Sequence, residues 1–174
     1  MLIRIRRVSV SGIILSAFMA IASASAGAQN RAADFSFRAI DGPPVTSESL
    51  RGEVVVLAFG ASWLPLTRNQ MEAVKKLADQ YAGRGVAVYW VSTESESPKS
   101  KNFASDEQLR DLARKHKAAV LRDPDGVVSK KLGVDQLPSV VIIDKQGNIA
   151  DTIGGMDPNA NLATQLAARL DKIL

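Results

Sequence analysis

Apolar positions recur along this chain in two rhythms that alternate with each other. Glu53 to Phe59 is a near-continuous apolar run, β-branched in its first half, the pattern of a central strand covered on both faces. It leads directly into Gly60-Ala61-Ser62-Trp63, after which the spacing changes. Met71, Val74, Leu77, Ala78 and Tyr81 repeat every three or four residues while Arg68, Lys75, Lys76 and Asp79 fall off that stripe, which predicts an amphipathic helix from Leu66 onward. Gly83 and Gly85 stop it. Val86 to Ser92 is a second strand, and Thr93 to Lys101 is polar and reads as an exposed loop. Ser105-Asp106-Glu107-Gln108 is a capping box, in which the serine accepts a helix-start N–H and the glutamine reaches back. Leu109, Leu112 and Ala113 form the buried stripe of the helix it opens, which frays near Lys117.

Shorter elements flank these. Phe35 and Phe37 alternate with polar neighbours over Asp34 to Ala39, a half-buried strand, and Asp41-Gly42-Pro43-Pro44 turns the chain into a short return from Val45, giving an N-terminal hairpin. Val120 and Leu121 begin a short strand, and Val127 to Leu132 forms a short helix ending at Gly133. Strands at Ser139 to Asp144 and Ile149 to Ile153 flank a tight turn at Lys145-Gln146-Gly147-Asn148, an antiparallel hairpin. Asp157-Pro158 opens a last helix with Leu162, Leu166, Leu170 and Ile173 on one face. Strands alternating with helices and ending in a hairpin predict a three-layer α/β domain with a mixed sheet.

The first residues carry a different signal. Arg4, Arg6 and Arg7 precede the apolar stretch Val8 to Ala22, and Ala26-Gly27-Ala28 offers a small-residue cleavage site, so residues 1–28 read as a signal peptide and 29–174 as one domain. The apolar stretch is 15 residues long, short of the roughly 20 that span a bilayer. Export to a periplasm follows from this reading, and an uncleaved signal anchor is its alternative. The three arginines account for most of the positive charge. Without them, the chain's 22 Lys and Arg become 19 against 18 Asp and Glu, which gives no case for nucleic acid as a partner.

Cysteine is absent from all 174 residues, so packing alone stabilises the domain. That absence gains its significance from a resemblance. Asp34-Phe35 with the Gly42 turn, Val54 to Phe59 running into Ala61-Ser62-Trp63, the helix with Arg68 and Met71, and Leu137-Pro138-Ser139 before Val140-Val141-Ile142-Ile143-Asp144 together resemble the TlpA/ResA-type thioredoxin-like proteins of the redoxin and alkyl hydroperoxide reductase/thiol-specific antioxidant superfamily. The resemblance spans residues 34–174 and implies a thioredoxin-like fold, thiol-disulfide oxidoreductase or peroxiredoxin-type antioxidant activity, and a Trp-Cys-x-x-Cys motif at the strand-to-helix junction. Such chemistry needs one thiolate stabilised by the helix N-terminus and a second thiol to resolve the mixed disulfide. In this sequence Trp63 is kept, Leu64 takes the first cysteine's place, Pro65 and Leu66 are the intervening pair, and Thr67 takes the second's. Leucine has no nucleophile, and threonine needs an adjacent base. The position of Ala58, where the family usually has a buried acid or amide, and that of Gly60, usually aromatic, are both small. The catalytic positions are therefore degenerate, and the resemblance implies a cis bond before Pro138 beside a peptide-docking surface.

The remaining candidates carry little chemistry. His116 stands among Arg114, Lys115 and Lys117, cations that disfavour a metal. Asp123-Pro124-Asp125-Gly126 starts like a calcium loop, but the ligand at loop position 12 would be Val134, so it reads as a turn. No metal and no cofactor are expected. Either Trp63, Pro65, Leu66, Leu137 and Pro138, with Leu64, form an apolar contact patch, or Leu64 and Leu66 tuck inward and fill the vacated site. The expected role is a non-catalytic protein- or peptide-binding, chaperone-like module of the cell envelope. A residual oxidoreductase and a structural subunit of an envelope complex are the alternatives.

Overall fold

The computed structural model describes residues 32–157 and 159–174. The signal segment lies outside the described residues, as does Pro158. Seven strands form one mixed sheet: β1 (Ser36–Ala39), β2 (Val45–Thr46), β3 (Val54–Gly60), β4 (Val86–Ser92), β5 (Val120–Arg122), β6 (Ser139–Ile143) and β7 (Ile149–Gly154), in the spatial order β2-β1-β5-β4-β3-β6-β7. Strands β3, β4 and β5 are parallel, while β6 and β7 add antiparallel beside β3. The N-terminal hairpin forms as expected, but it is no separate appendage. Arg38 and Ala39 pair with Arg122 and Leu121, so the hairpin extends the sheet at its β5 edge.

Four helices complete the chain: α1 (Thr67–Gln80), α2 (Asp106–His116), α3 (Val127–Lys131) and α4 (Leu162–Leu170). Every residue of β3 is buried, which explains its unbroken apolar character. Val54, Val56 and Ala58 face one core with Met71, Val74 and Leu77 of α1, Leu109 of α2 and Leu166 and Leu170 of α4. Val55, Leu57 and Phe59 face the other, under Phe35, Phe37, Leu132 and Val134. The sheet is thus covered on both sides, though the second layer rests on a five-residue helix and loop segments rather than a full helix. Phe35 and Phe37 are both buried, as their alternation predicted, and their tilted rings have centroids 5.3 Å apart.

The capping box at Ser105 is formed, with Gln108 N donating to Ser105 Oγ at 3.1 Å and Ser105 N to Gln108 Oε1 at 2.8 Å. Lys117 ends α2 in the left-handed conformation. Two expectations need correction. The last helix begins after Asn161, whose side chain accepts from Thr164 N, four residues beyond Asp157, because a side-chain acceptor satisfies the orphan N–H groups of a first turn. The segment after β4 is not simply exposed: Thr93, Glu94 and Ser95 are buried.

Candidate functional site

Parallel pairing places the ends of β3 and β4 side by side, with Gly60 opposite Ser92. The chain leaving β3 forms the segment Ala61 to Leu66 and enters α1 at Thr67. The chain leaving β4 supplies Thr93 and Glu94. Crevices outside the carboxyl ends of parallel strands are where open α/β sheets carry their sites.

At this junction neither position matched to the dithiol carries sulfur. Thr67 is buried, and its hydroxyl donates to the Ala61 carbonyl at 2.5 Å, so the oxygen is tied to the backbone. Leu64 is partly buried, and its carbonyl accepts from Thr67 N at 3.1 Å. Leu66 precedes the helix without any side-chain cap.

Around this junction the sequence reading missed two polar assemblies. The first centres on Glu94, which is 1% exposed. Its carboxylate accepts from Ser62 N at 3.0 Å, Ser62 Oγ at 2.6 Å and Ser92 Oγ at 2.9 Å, and so fixes the Ser62-Trp63 corner. Both Ser62 and Glu94 stand two residues beyond the Gly60–Ser92 register pair. The signal available in the sequence was an acid placed directly after an apolar strand. The second assembly fills the space beside Gly60. Gln70, fully buried, donates to the carbonyls of Phe59 (3.0 Å) and Ser139 (3.2 Å) and accepts from Trp90 Nε1 at 2.8 Å. The space beside the small Gly60 is therefore occupied: a Cβ there would stand 2.6 Å from Gln70 Oε1.

The loop carrying Glu94 is itself anchored from β5. Arg122, almost fully buried, donates to the carbonyls of Glu94 and Ser95 at 3.2 Å each, to Ala104 O at 3.0 Å and to Asp106 Oδ1 at 2.7 Å. Arg38 forks onto both oxygens of Asp106 at 2.8 and 2.9 Å. The Arg38 hydrogen bonds, with a smaller contribution from Arg122 and against the opposing effect of burial, hold the Asp106 carboxyl down at about 2. A carboxyl depressed in the folded state contributes stability that is full above its unfolded value near 3.8 and is lost as pH falls toward 2. Acid unfolding should accordingly steepen between those limits. Asp106→Asn should flatten that slope and cost about 2 kcal/mol at neutral pH, since it leaves buried Arg122 short of its nearest carboxylate, the figure being trimmed because Asp106 is 42% exposed. Unfolding curves across pH 2 to 7 check both.

Trp63 is 65% exposed and Leu137 is 38% exposed. Trp63 Nε1 donates to Asn102 Oδ1 at 2.8 Å, and Asn102 Nδ2 reaches Thr93 O at 3.4 Å, so the indole has a set orientation. Trp63 and Leu137 line a groove of about 480 Å³ together with the apolar Leu64 and Val134 and the acidic Asp125 and Asp135. Of the expected contact residues, Trp63 and Leu137 line it. Pro65 is exposed and Leu66 half-buried, but neither lines it; Pro138 is buried behind it. The Leu137–Pro138 bond is cis. Leu137 lies outside β6, and among the described residues no hydrogen bond engages its N–H or C=O. Ser139 Oγ donates to Gln136 O at 2.5 Å and fixes the preceding carbonyl.

Asp123 is a buried acceptor rather than a metal ligand, taking Val128 N at 2.8 Å and Ser129 N at 2.7 Å. His116, at the end of α2, borders a different groove shared with Arg68 and Lys76. Among the described residues no helix is long and apolar enough to cross a membrane.

A mixed seven-stranded sheet in this order, with four helices and Trp63 at the β3–α1 junction, has the architecture of a thioredoxin-like protein. The chain belongs to the AhpC/TSA family, whose model matches residues 28–152. It is 29% identical over 123 residues to the thioredoxin-like protein YneN of Bacillus subtilis, covering 70% of this chain and 68% of that one. It is 28% identical over 130 residues to the thiol:disulfide interchange protein DsbE of Pseudomonas aeruginosa, covering 75% and 67%. Among solved structures it is similar to the exposed lipoprotein thioredoxin Etrx1 of Streptococcus pneumoniae, with a TM-score of 0.62, 26% identity and coverage of 79% and 99%.

Proposed function

We propose that this protein is an exported thioredoxin-fold module that holds extended polypeptide segments without exchanging disulfides. The observation that carries the reading is the contrast at one junction. Leu64 and the backbone-tied Thr67 stand where the dithiol would be, while the neighbouring groove keeps an exposed indole and the unpaired backbone of Leu137. A free N–H and C=O beside the groove offer strand-like pairing to a peptide, and apolar surface next to them supplies affinity. Arg4, Arg6 and Arg7 before Val8 to Ala22 support export, as does the similarity to a protein described as an exposed lipoprotein.

Peptide binding to the protein, measured by calorimetry or with a labelled extended peptide, tests this directly. Trp63→Ala should weaken binding roughly tenfold, as loss of an aromatic anchor does. No measurable binding across a panel of extended peptides would overturn the proposal. Catalytic reduction of insulin by the unsubstituted protein, above a heat-inactivated control, would overturn its non-catalytic half.

A further inference from the structure

The groove's charged groups are unevenly matched. The carboxylates of Asp125 and Asp135 border it, both residues are exposed, and among the described residues neither carboxylate has an ion pair or a hydrogen-bond donor. Other surface acids are paired, Asp41 with Arg110, Asp151 with Arg169, Asp171 with Arg84 and Glu72 with Arg68, while Glu48, Glu53 and Glu107 share the unpaired state of these two but do not line the groove. Lys130 is the one cationic side chain lining the groove, and its amine turns back to the Asp125 carbonyl at 3.4 Å rather than to either carboxylate. Trp63 lines the same groove with its polar edge already committed to Asn102, so its exposed face presents π density and apolar carbon. A cationic side chain with an aliphatic stem complements both halves at once. Its stem lies along Leu64, Val134 and the indole, and its charged head is attracted to the ring face and to the carboxylates.

We propose that the groove selects extended polypeptide segments carrying a lysine or arginine side chain, which crosses the Trp63 indole and ends between Asp125 and Asp135. This rests on the peptide-binding reading above and adds the chemistry of the segment bound. The selectivity is electrostatic in origin, so it weakens with added salt, whereas binding through the apolar wall and the Leu137 backbone does not.

Three extended peptides of one sequence, differing only at a central lysine, methionine or glutamate, distinguish these contributions by calorimetry on the intact protein at low and high salt. The lysine peptide is expected to bind about tenfold more tightly than the glutamate peptide at low salt, the methionine peptide lying between them, with the gap narrowing at high salt. Asp125→Asn with Asp135→Asn should reduce the lysine-to-glutamate ratio to about twofold. Equal affinity for all three peptides, or preference for glutamate, overturns the charge selection while leaving the peptide-binding reading standing. Failure of all three to bind overturns both.

Discussion

Leu64→Cys combined with Thr67→Cys is expected to give a protein that forms an internal disulfide and reduces insulin, at least about tenfold faster than the unsubstituted chain. Thr67 N bonds to Leu64 O at 3.1 Å, a four-residue turn in which the end Cα atoms lie within roughly 7 Å of each other, close to the range a disulfide bridges. Position 64 precedes the uncapped start of α1, where the helix N-terminus stabilises a thiolate. Position 67 is buried behind it, as a resolving thiol should be. The substitution sacrifices the Thr67 Oγ1 bond to Ala61 O, at about 1 kcal/mol. Thiol titration after equilibration in a glutathione buffer reads disulfide formation, and the insulin assay reads turnover. If both thiols stay free under mild oxidation, the junction does not have the geometry described. A disulfide without turnover would place the defect in the surroundings, where Ala58 and Gly60 depart from the family pattern.

The largest loss of stability is expected from Gln70→Leu, at roughly 3 kcal/mol, or about 10 °C in melting temperature for a domain of this size. Leucine matches the volume but strands the Trp90 indole N–H and withdraws the donor from the Phe59 and Ser139 carbonyls, all in the interior. Buried polar groups left without partners are costlier than the net worth of the bonds they made. Gly60→Ala attacks the same assembly from the other side, since its Cβ would stand 2.6 Å from Gln70 Oε1 and 3.1 Å from Trp90 Nε1, and about 2 kcal/mol is expected. Because both changes break one network, the double variant should lose clearly less than the two single losses together. Denaturant unfolding of the four proteins measures this. A Gln70→Leu variant within about 0.5 kcal/mol of the parent would mean that the network contributes little.

These two experiments interpret the absent cysteines differently from a simple lesion. Taken alone, Leu64 and Thr67 look like a site that has lost its sulfur, and Ala58 and Gly60 look like decay spreading from it. The structure shows reinforcement instead. Thr67 is hydrogen-bonded, Glu94 holds Ser62 in place, and Gln70 with Trp90 occupies the room at Gly60. What is left open is Trp63, Leu137 and the groove they line, the surface to which the proposed peptide binding is assigned.

The sequence by itself determined whatever depends on near neighbours. The period-2 and period-3.6 patterns located β3, β4, β6, β7 and α1, the capping box located the start of α2, and the lack of any cysteine left both dithiol positions without sulfur. Each of these is written within a few consecutive residues. Only the tertiary structure decided which polar residues are buried together. Glu94 reads as part of a solvated loop until the parallel register of β3 and β4 sets it against Ser62, 32 positions away. Arg122 meets Asp106 across 16 positions, Gln70 meets Ser139 across 69, and the hairpin joins the sheet through β5. Burial of a polar side chain depends on strands and helices distant in sequence arriving on all its sides at once, and no local period encodes that meeting. The convergence of Trp63, Asp125, Asp135 and Leu137 on one groove is decided in the same way, because three separate segments supply it.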